Sequence, residues 1–361
     1  MKIGVIGHKR IPGREGGIEV VVEELATRMA ALGYEIIIYN RRKKGIRLPK
    51  IYKNTRLVTV PTIEKKNTDA VIYSFLATIQ AILENCNVIH YHAIGPGFFV
   101  FIPYLFKIKT VVTVHGLNYK TPKWNGIGAK FIKAGEIICA KYADEIIVLS
   151  QQQQNYFRSF YGREATLIPN GTQIYDIIEP NLIKEKFGLE KDSYILFLSR
   201  VVPGKGLEYL LEAYRKVDCN LKLIIAGGSI FVDDFYNRIQ KMAALDTRVK
   251  LIGFVEGKIL QELYSNTKLF VFPSEAEGMP ICLLEALSYN CNCLVSDIPE
   301  NLEVGKGYVH YFKSCDVNDL AMQLKISLDT GNLKENSRGY IEENYSWDEI
   351  VRKTLDLYGG K

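Results

Sequence analysis

Two short stretches in the second half of the chain combine cations, glycines and carboxylates at spacings that could bind a phosphate ester. The first is Ser199-Arg200-Val201-Val202-Pro203-Gly204-Lys205-Gly206-Leu207-Glu208. Arg200 and Lys205 follow an apolar run and precede a helical pattern. Two fixed cations beside a helix N-terminus suit a diphosphate; a pair of solvated loop charges is the bland alternative. The second stretch, Pro273 to Leu287, sets Glu277 and Glu285 in an E-x7-E pattern, with Leu283, Leu284 and Leu287 as an apolar face. A carboxylate among apolar neighbours is costly unless hydrogen-bonded, and sugar or ribose hydroxyls are natural donors to it. A capping acid plus a surface Glu is the alternative there. A third feature, Gly16-Gly17-Ile18-Glu19, opens the first long helix. Its bare N–H groups and the positive end of the helix dipole favour an anion, where a plain turn is the alternative.

The elements that must hold these residues alternate between strand and helix. Lys2–Gly7 is an apolar run ending in glycine, His8–Gly17 a polar loop, Ile18–Leu32 a helix stopped by Gly33, and Glu35–Tyr39 a buried strand. Strands over Val88–His92, Thr110–His115 and Glu145–Leu149, with a helix over Phe131–Tyr142, continue the pattern. A turn at Pro169-Asn170-Gly171 interrupts it, and it restarts at Tyr194–Leu198 and runs to Cys293–Val295. Helical segments over Val317–Leu328 and Trp347–Tyr358 close the chain. The expected fold class is α/β, with two doubly wound Rossmann-like domains. Their ligand crevices lie at the carboxyl ends of the strands and are expected to face each other across one cleft.

Composition agrees with two domains. The chain has 361 residues, 47% of them hydrophobic and 24% charged, which excludes disorder, collagen-like repeats and a small disulfide scaffold. Residues 1–180 hold 24 Lys+Arg against 14 Asp+Glu, while residues 181–361 hold 22 against 26. The first half is therefore the one expected to meet an anionic partner. Seven scattered cysteines form no zinc framework and point to a reduced, cytoplasmic compartment. No signal-peptide pattern opens the chain, and the greasiest stretch, Phe98–Ile108, is too short to span a bilayer.

Taken together, GGIE, SRVVPGKG and PSEAEGMPICLLEALS stand in a shared order and spacing. Over nearly its whole length the chain resembles the retaining glycosyltransferases of family four, which have the GT-B fold. The stretches HGLNYKTPKWNGIGAKFIKAGE and GHKRIPGREGGIEVVVEEL look like a subgroup found in bacterial capsule and exopolysaccharide synthesis, in which rhamnosyltransferases are prominent. The resemblance implies an acceptor-side domain over 1–172, a donor-binding domain over 173–344, and a C-terminal helix over 345–361 that packs back on the first domain. It implies that Arg200 and Lys205 hold the donor diphosphate, that Glu285 binds the ribose hydroxyls and that Glu277 sits by the donor sugar. Gly16, Gly17 and the backbone N–H groups of Gly278, Met279 and Ile281 would assist, and His115 would contact the transferred sugar.

The implied enzyme is a retaining hexosyltransferase. It would move a sugar from a nucleotide-diphosphate sugar, dTDP-rhamnose or a UDP-sugar, to a lipid-linked saccharide. The reaction would run on one face, and a covalent role for Glu277 is the alternative. No D-x-D triplet is present and two cations can do the work of a metal, so neither metal nor cofactor is expected. The chain departs from the family at Met279-Pro280, where Phe-Gly is common, and at Asn290, where a glycine is usual. His92 and the basic run Arg41, Arg42, Lys43 and Lys44 are candidates for the acceptor or membrane side, with peripheral contact at the inner face of the cytoplasmic membrane. Two other classes of function stay open on sequence: an NADP-dependent oxidoreductase, drawn from the βα opening and Arg41-Arg42, and a non-enzymatic membrane-docked protein. A nucleic-acid partner is not expected, because the basic run lacks interleaved aromatics.

Overall fold

The computed structural model describes residues 1–13, 16–65, 68–116, 127–228, 234–334 and 336–359. It divides into two compact units, Met1–Gly171 with Trp347–Lys361, and Thr172–Ser346.

In the first unit the elements run β1 (Lys2–Ile6), α1 (Gly17–Ala31), β2 (Glu35–Arg41), β3 (Ile51–Tyr52), β4 (Thr55–Val60), α2 (Asp69–Leu83) and β5 (Val88–His92). They continue through α3 (Ile94–Gly97), a 3-10 turn (Phe98–Val100), α4 (Phe101–Leu105), β6 (Lys109–Val114), α5 (Ile127–Tyr142), β7 (Glu145–Val148), α6 (Gln151–Tyr161) and β8 (Thr166–Leu167). Among the described residues the strands form one sheet in the order β3-β4-β2-β1-β5-β6-β7-β8. Every pair is parallel except β3 with β4. Ile6, Ile37, Tyr91 and Val112 pack against Ala77 of α2, Ile132 of α5 and Phe157 of α6.

The second unit runs α7 (Leu182–Phe187), β9 (Tyr194–Leu198), α8 (Leu207–Arg215), β10 (Lys222–Ala226), α9 (Asp234–Ala243), β11 (Val249–Gly253) and α10 (Gly257–Asn266). It continues through β12 (Leu269–Phe272), α11 (Ile281–Ser288), β13 (Cys293–Ser296), α12 (Pro299–Gly305), β14 (His310–Phe312), α13 (Val317–Thr330) and α14 (Ser337–Asn344). Its parallel sheet has the order β11-β10-β9-β12-β13-β14. Tyr194, Leu196, Phe270 and Phe272 face one core, and Ile195, Phe197, Leu269 and Val271 the other. A sheet covered on both faces needs apolar residues at every strand position, which is why these strands are legible as continuous runs. The last helix, α15 (Trp347–Tyr358), belongs to the first unit, where Asp348 pairs with Arg28 of α1 at 2.9 Å.

Several elements escape the sequence reading. β4 is only six residues long, and its alternation of buried and exposed residues breaks at Val58. α2 is apolar almost throughout, and such a run does not distinguish a helical from a strand period. α6 opens on four glutamines. The greasy stretch Phe98–Ile108 is a 3-10 turn, a short helix and a turn, and Tyr104, Leu105 and Phe106 are exposed.

Each sheet has a switch point. β1 lies between β2 and β5, and β9 lies between β10 and β12. The connections leave these central strands in opposite directions, so a crevice opens at the carboxyl ends of β1 with β5 and of β9 with β12. Glycine permits the close approach at both. Gly7 has φ +120°, and a Cβ there would lie 2.1 Å from the His92 carbonyl oxygen. Gly206 has φ +67°, and a Cβ there would lie 1.9 Å from the Pro273 carbonyl oxygen.

Candidate active site

In the second unit the loops after β9 and β12 meet at the switch point. The Lys205 ammonium donates to Glu277 Oε1, and Ser274 Oγ donates to the same oxygen at 2.6 Å. Lys205 also lies over the Phe272 ring, 5.8 Å from its centroid. The Glu275 N–H donates to the Gly204 carbonyl at 3.0 Å, which ties the two loops together through the backbone. Arg200 is exposed and, among the described residues, has no ion-pair partner. Ser296, at the end of β13, donates to the Ser274 carbonyl at 2.5 Å and accepts from Asn301 Nδ2 at 3.0 Å. Lys205 and Glu277 thus meet at the carboxyl ends of β9 and β12, and Arg200 lies in the loop directly after β9. Burial first, and then the Glu277 and Glu303 charges, hold the Glu300 carboxyl above its ordinary range.

Glu285 sits one turn into α11, while Leu283, Leu284 and Leu287 are fully buried. Tyr264 of α10 donates to Glu285 Oε2 at 3.1 Å. Gly278, Met279 and Ile281 are partly buried, at the loop that enters α11. Cys282, between them and Glu285, is kept as the neutral thiol by burial and by the Glu277 charge.

In the first unit four of the chain's five histidines gather around the carboxyl ends of β1, β5 and β6. His92 Nδ1 and His115 Nε2 share a hydrogen bond of 3.0 Å, and the rings stack at 5.3 Å. His90 packs on His92 with ring centroids 4.2 Å apart. Its Nδ1 meets Tyr358 Oη at 2.5 Å and its Nε2 meets Thr113 Oγ1 at 2.7 Å. Asn40 donates to the Ile11 carbonyl, so its Oδ1 accepts both the Ile11 N–H and His8 Nε2. His8 therefore carries its proton on Nε2. Burial lowers His8 and His115 to about 4 and His90 to about 3. His92 is lowered by burial and by the His90, His115 and His8 charges. The cluster is a group of neutral rings at neutral pH.

Three sequence expectations need correction or limits. His92 is 1% exposed and hydrogen-bonded to His115, so it is closed to solvent and does not face an acceptor. Arg41 is no solvated cation: it pairs with Asp69 at 2.8 Å and lies over the Tyr73 ring, which removes it from both the membrane-facing run and the NADP reading. Arg42, Lys43 and Lys44 are exposed. Gly16 and Gly17 open α1, where Glu19 Oε1 accepts the Lys9 N–H at 2.9 Å. Of the two longer family-like stretches, residues 14–15 and 117–126 lie outside the described residues.

Two family models cover most of the chain. Residues 181–347 match "Glycosyl transferases group 1", and residues 15–174 match "Glycosyltransferase Family 4". The chain belongs to these glycosyltransferases.

An uncharacterized glycosyltransferase of Methanocaldococcus jannaschii is 24% identical, over 99% of this chain and 98% of its own. The UDP-Gal:α-D-GlcNAc-diphosphoundecaprenol α-1,3-galactosyltransferase of Escherichia coli is 26% identical over 76% of each chain. Among solved structures, HepE of Anabaena in complex with UDP and glucose superposes with a TM-score of 0.80 at 14% identity, over 100% of this chain and 99% of that one. The two parallel-sheet units are those of the GT-B fold.

In this glycosyltransferase the departure at Asn290 has a structural reason. Asn290 has φ +57°, a left-handed position that asparagine tolerates better than most residues. Its side chain accepts from the Ser337 N–H at 3.1 Å and from Ser337 Oγ at 2.9 Å, bonds that a glycine cannot make. Nothing in the structure explains the Met279-Pro280 pair. Sequence reasoning missed Ser274 and Tyr264. Ser274 lies inside the quoted motif, three residues before Glu277, and could have been read there. Tyr264 is 21 residues from Glu285 on another helix and carries no local signal.

Proposed function

We propose that the protein transfers a sugar, with retention, from a nucleotide-diphosphate sugar to a lipid-linked saccharide in bacterial surface polysaccharide synthesis. dTDP-rhamnose or a UDP-sugar is the donor, and the reaction takes place on the cytoplasmic side of the membrane. The observation that carries this reading is the meeting of Lys205, Glu277 and Ser274 at the β9/β12 switch point, with Arg200 in the loop that follows β9. As the bond between the sugar's anomeric carbon and the diphosphate oxygen breaks, negative charge grows on that oxygen. Arg200 and Lys205 stabilise it as preorganised cations, in place of a metal. The acceptor hydroxyl bonds to the same carbon on the same face and gives its proton to the departing phosphate. Glu277 lies beside the donor sugar, Glu285 binds the ribose, and Gly278, Met279 and Ile281 offer backbone N–H groups. Gly16 and Gly17 offer theirs to an anion at the start of α1, and His115, a neutral ring, touches the transferred sugar.

A thermal unfolding screen with UDP, dTDP, GDP and ADP tests the donor half. At one hundred times its Kd a nucleotide stabilises its site by about 2.7 kcal/mol. At least one should raise the midpoint, and Arg200→Ala should weaken that response. No shift with any nucleotide, in either protein, overturns the reading.

The membrane half rests on a surface of the first unit. Among the described residues no helix is long and apolar enough to cross a membrane. Leu105 is 73% exposed and Phe106 62%, with Tyr104 packed on Tyr142 and Lys141 over that ring. Burying Leu105 and Phe106 in lipid gains about 1.5–3 kcal/mol each, and a lysine near an anionic surface about 1 kcal/mol. Flotation with phosphatidylglycerol vesicles should recover the protein and lose the double variant Leu105→Asp, Phe106→Asp. Equal recovery of both removes this patch from the proposal.

A further inference from the structure

We infer that Tyr264 is a positioning residue that sets the direction in which Glu285 accepts the hydroxyls of the donor's ribose. The inference rests on the assignment of Glu285 to the ribose. Tyr264 is 2% exposed, on α10, and so offers almost no surface to a ligand itself. Its Oη lies 3.1 Å from Glu285 Oε2 and 3.2 Å from the Cys282 carbonyl oxygen, two acceptors for one proton. A charged acceptor makes the stronger bond, so the carboxylate is the principal partner. Holding one carboxylate oxygen fixes the plane of the group, and with it the lone-pair directions offered to a ligand.

The ring itself is locked. Tyr289 stacks on it at 5.3 Å and 15°, and Phe270 packs at 5.8 Å. Tyr289 in turn stacks on Tyr175 at 5.2 Å and 4°. Tyr175 belongs to the segment by which the chain enters the second unit, so three aromatic rings in series stand behind the carboxylate. Burial and the Glu285 charge hold the phenol protonated, so it remains a donor across the working pH range.

A plain structural tie between α10 and α11 would use the same contact, and ligand discrimination separates the two roles. Calorimetric titration with UDP, GDP, ADP and dTDP first identifies a ligand of the native protein. Tyr264→Phe should then raise its Kd about tenfold, the size of one lost bond to a charged group. In an E285A background the same substitution should change Kd less than twofold. The native protein should prefer the ligand over its 2′,3′-dideoxy counterpart, and Tyr264→Phe should narrow that preference. Tyr264→Met, which fills the site without an O–H, is a second variant expected to behave alike. Unchanged affinity in folded variants overturns the inference, as does an equal loss for ligand and dideoxy counterpart that persists in E285A. If none of the four nucleotides binds the native protein, the donor reading falls and this inference with it.

Discussion

Lys205→Ala is expected to lower turnover by about 10²–10³-fold, the cost of removing one preorganised group that stabilises developing charge. Two effects add. The leaving diphosphate loses a cation at the switch point, and Glu277 loses its ammonium partner while keeping the Ser274 hydroxyl at 2.6 Å. The Glu277 side chain is 12% exposed, so solvent replaces little of that lost interaction. Because Lys205 and Glu277 are in contact, their substitutions should couple: Lys205→Ala with Glu277→Gln should cost less than the product of the single effects. Nucleotide release in the presence of an extracted pool of lipid-linked acceptor measures this. The fall should appear in kcat more than in the donor KM, since the charge grows only as the bond breaks. A turnover within threefold of the native enzyme would remove Lys205 from the chemistry.

The first unit should lose stability steeply as pH falls below 6.5. In the unfolded chain each histidine titrates near 6.5, whereas the folded unit keeps His8 and His115 neutral to about 4 and His90 to about 3. His92 is lowered as well. Below 6.5 the unfolded state therefore binds protons that the folded state refuses. Stability is complete above that value and falls on acidification by about 1.4 kcal/mol per pH unit for each histidine. Carboxylates titrate mainly below pH 5, so the interval from 6.5 to 5 isolates the imidazoles. Trp347 is buried in the first unit, and its fluorescence reports that unit's urea midpoint. His90→Gln should flatten the slope by one proton even if it lowers the midpoint everywhere. A midpoint that is level from 6.5 to 5 contradicts the buried neutral cluster.

The amount that could be read without coordinates differs between the two sites. In the second unit Arg200, Lys205, Glu277 and Glu285 lie in loops and a helix start that follow strongly apolar strands, so residue type and local position singled them out as candidates. In the first unit His90 and His92 are alternate residues of one strand, and a strand period says only that they share a face. Their depth decided the rest: His92 contacts His115 and is closed to solvent. Arg41 was legible as one of a run of cations, but its partner Asp69 starts a helix that the apolar pattern did not resolve.

The sequence by itself determined the two doubly wound sheets, because strand runs, glycine punctuation and helix starts are local signals set by backbone geometry and burial. Only the tertiary structure decided which side chains meet. Lys205 and Glu277 are 72 positions apart and come together because β9 and β12 are neighbours. Tyr358 and His90 are 268 apart and meet because the chain's last helix belongs to the first unit. Such pairings depend on strand order and helix packing, which arise from the summed burial of whole elements. No short window of residues contains that information.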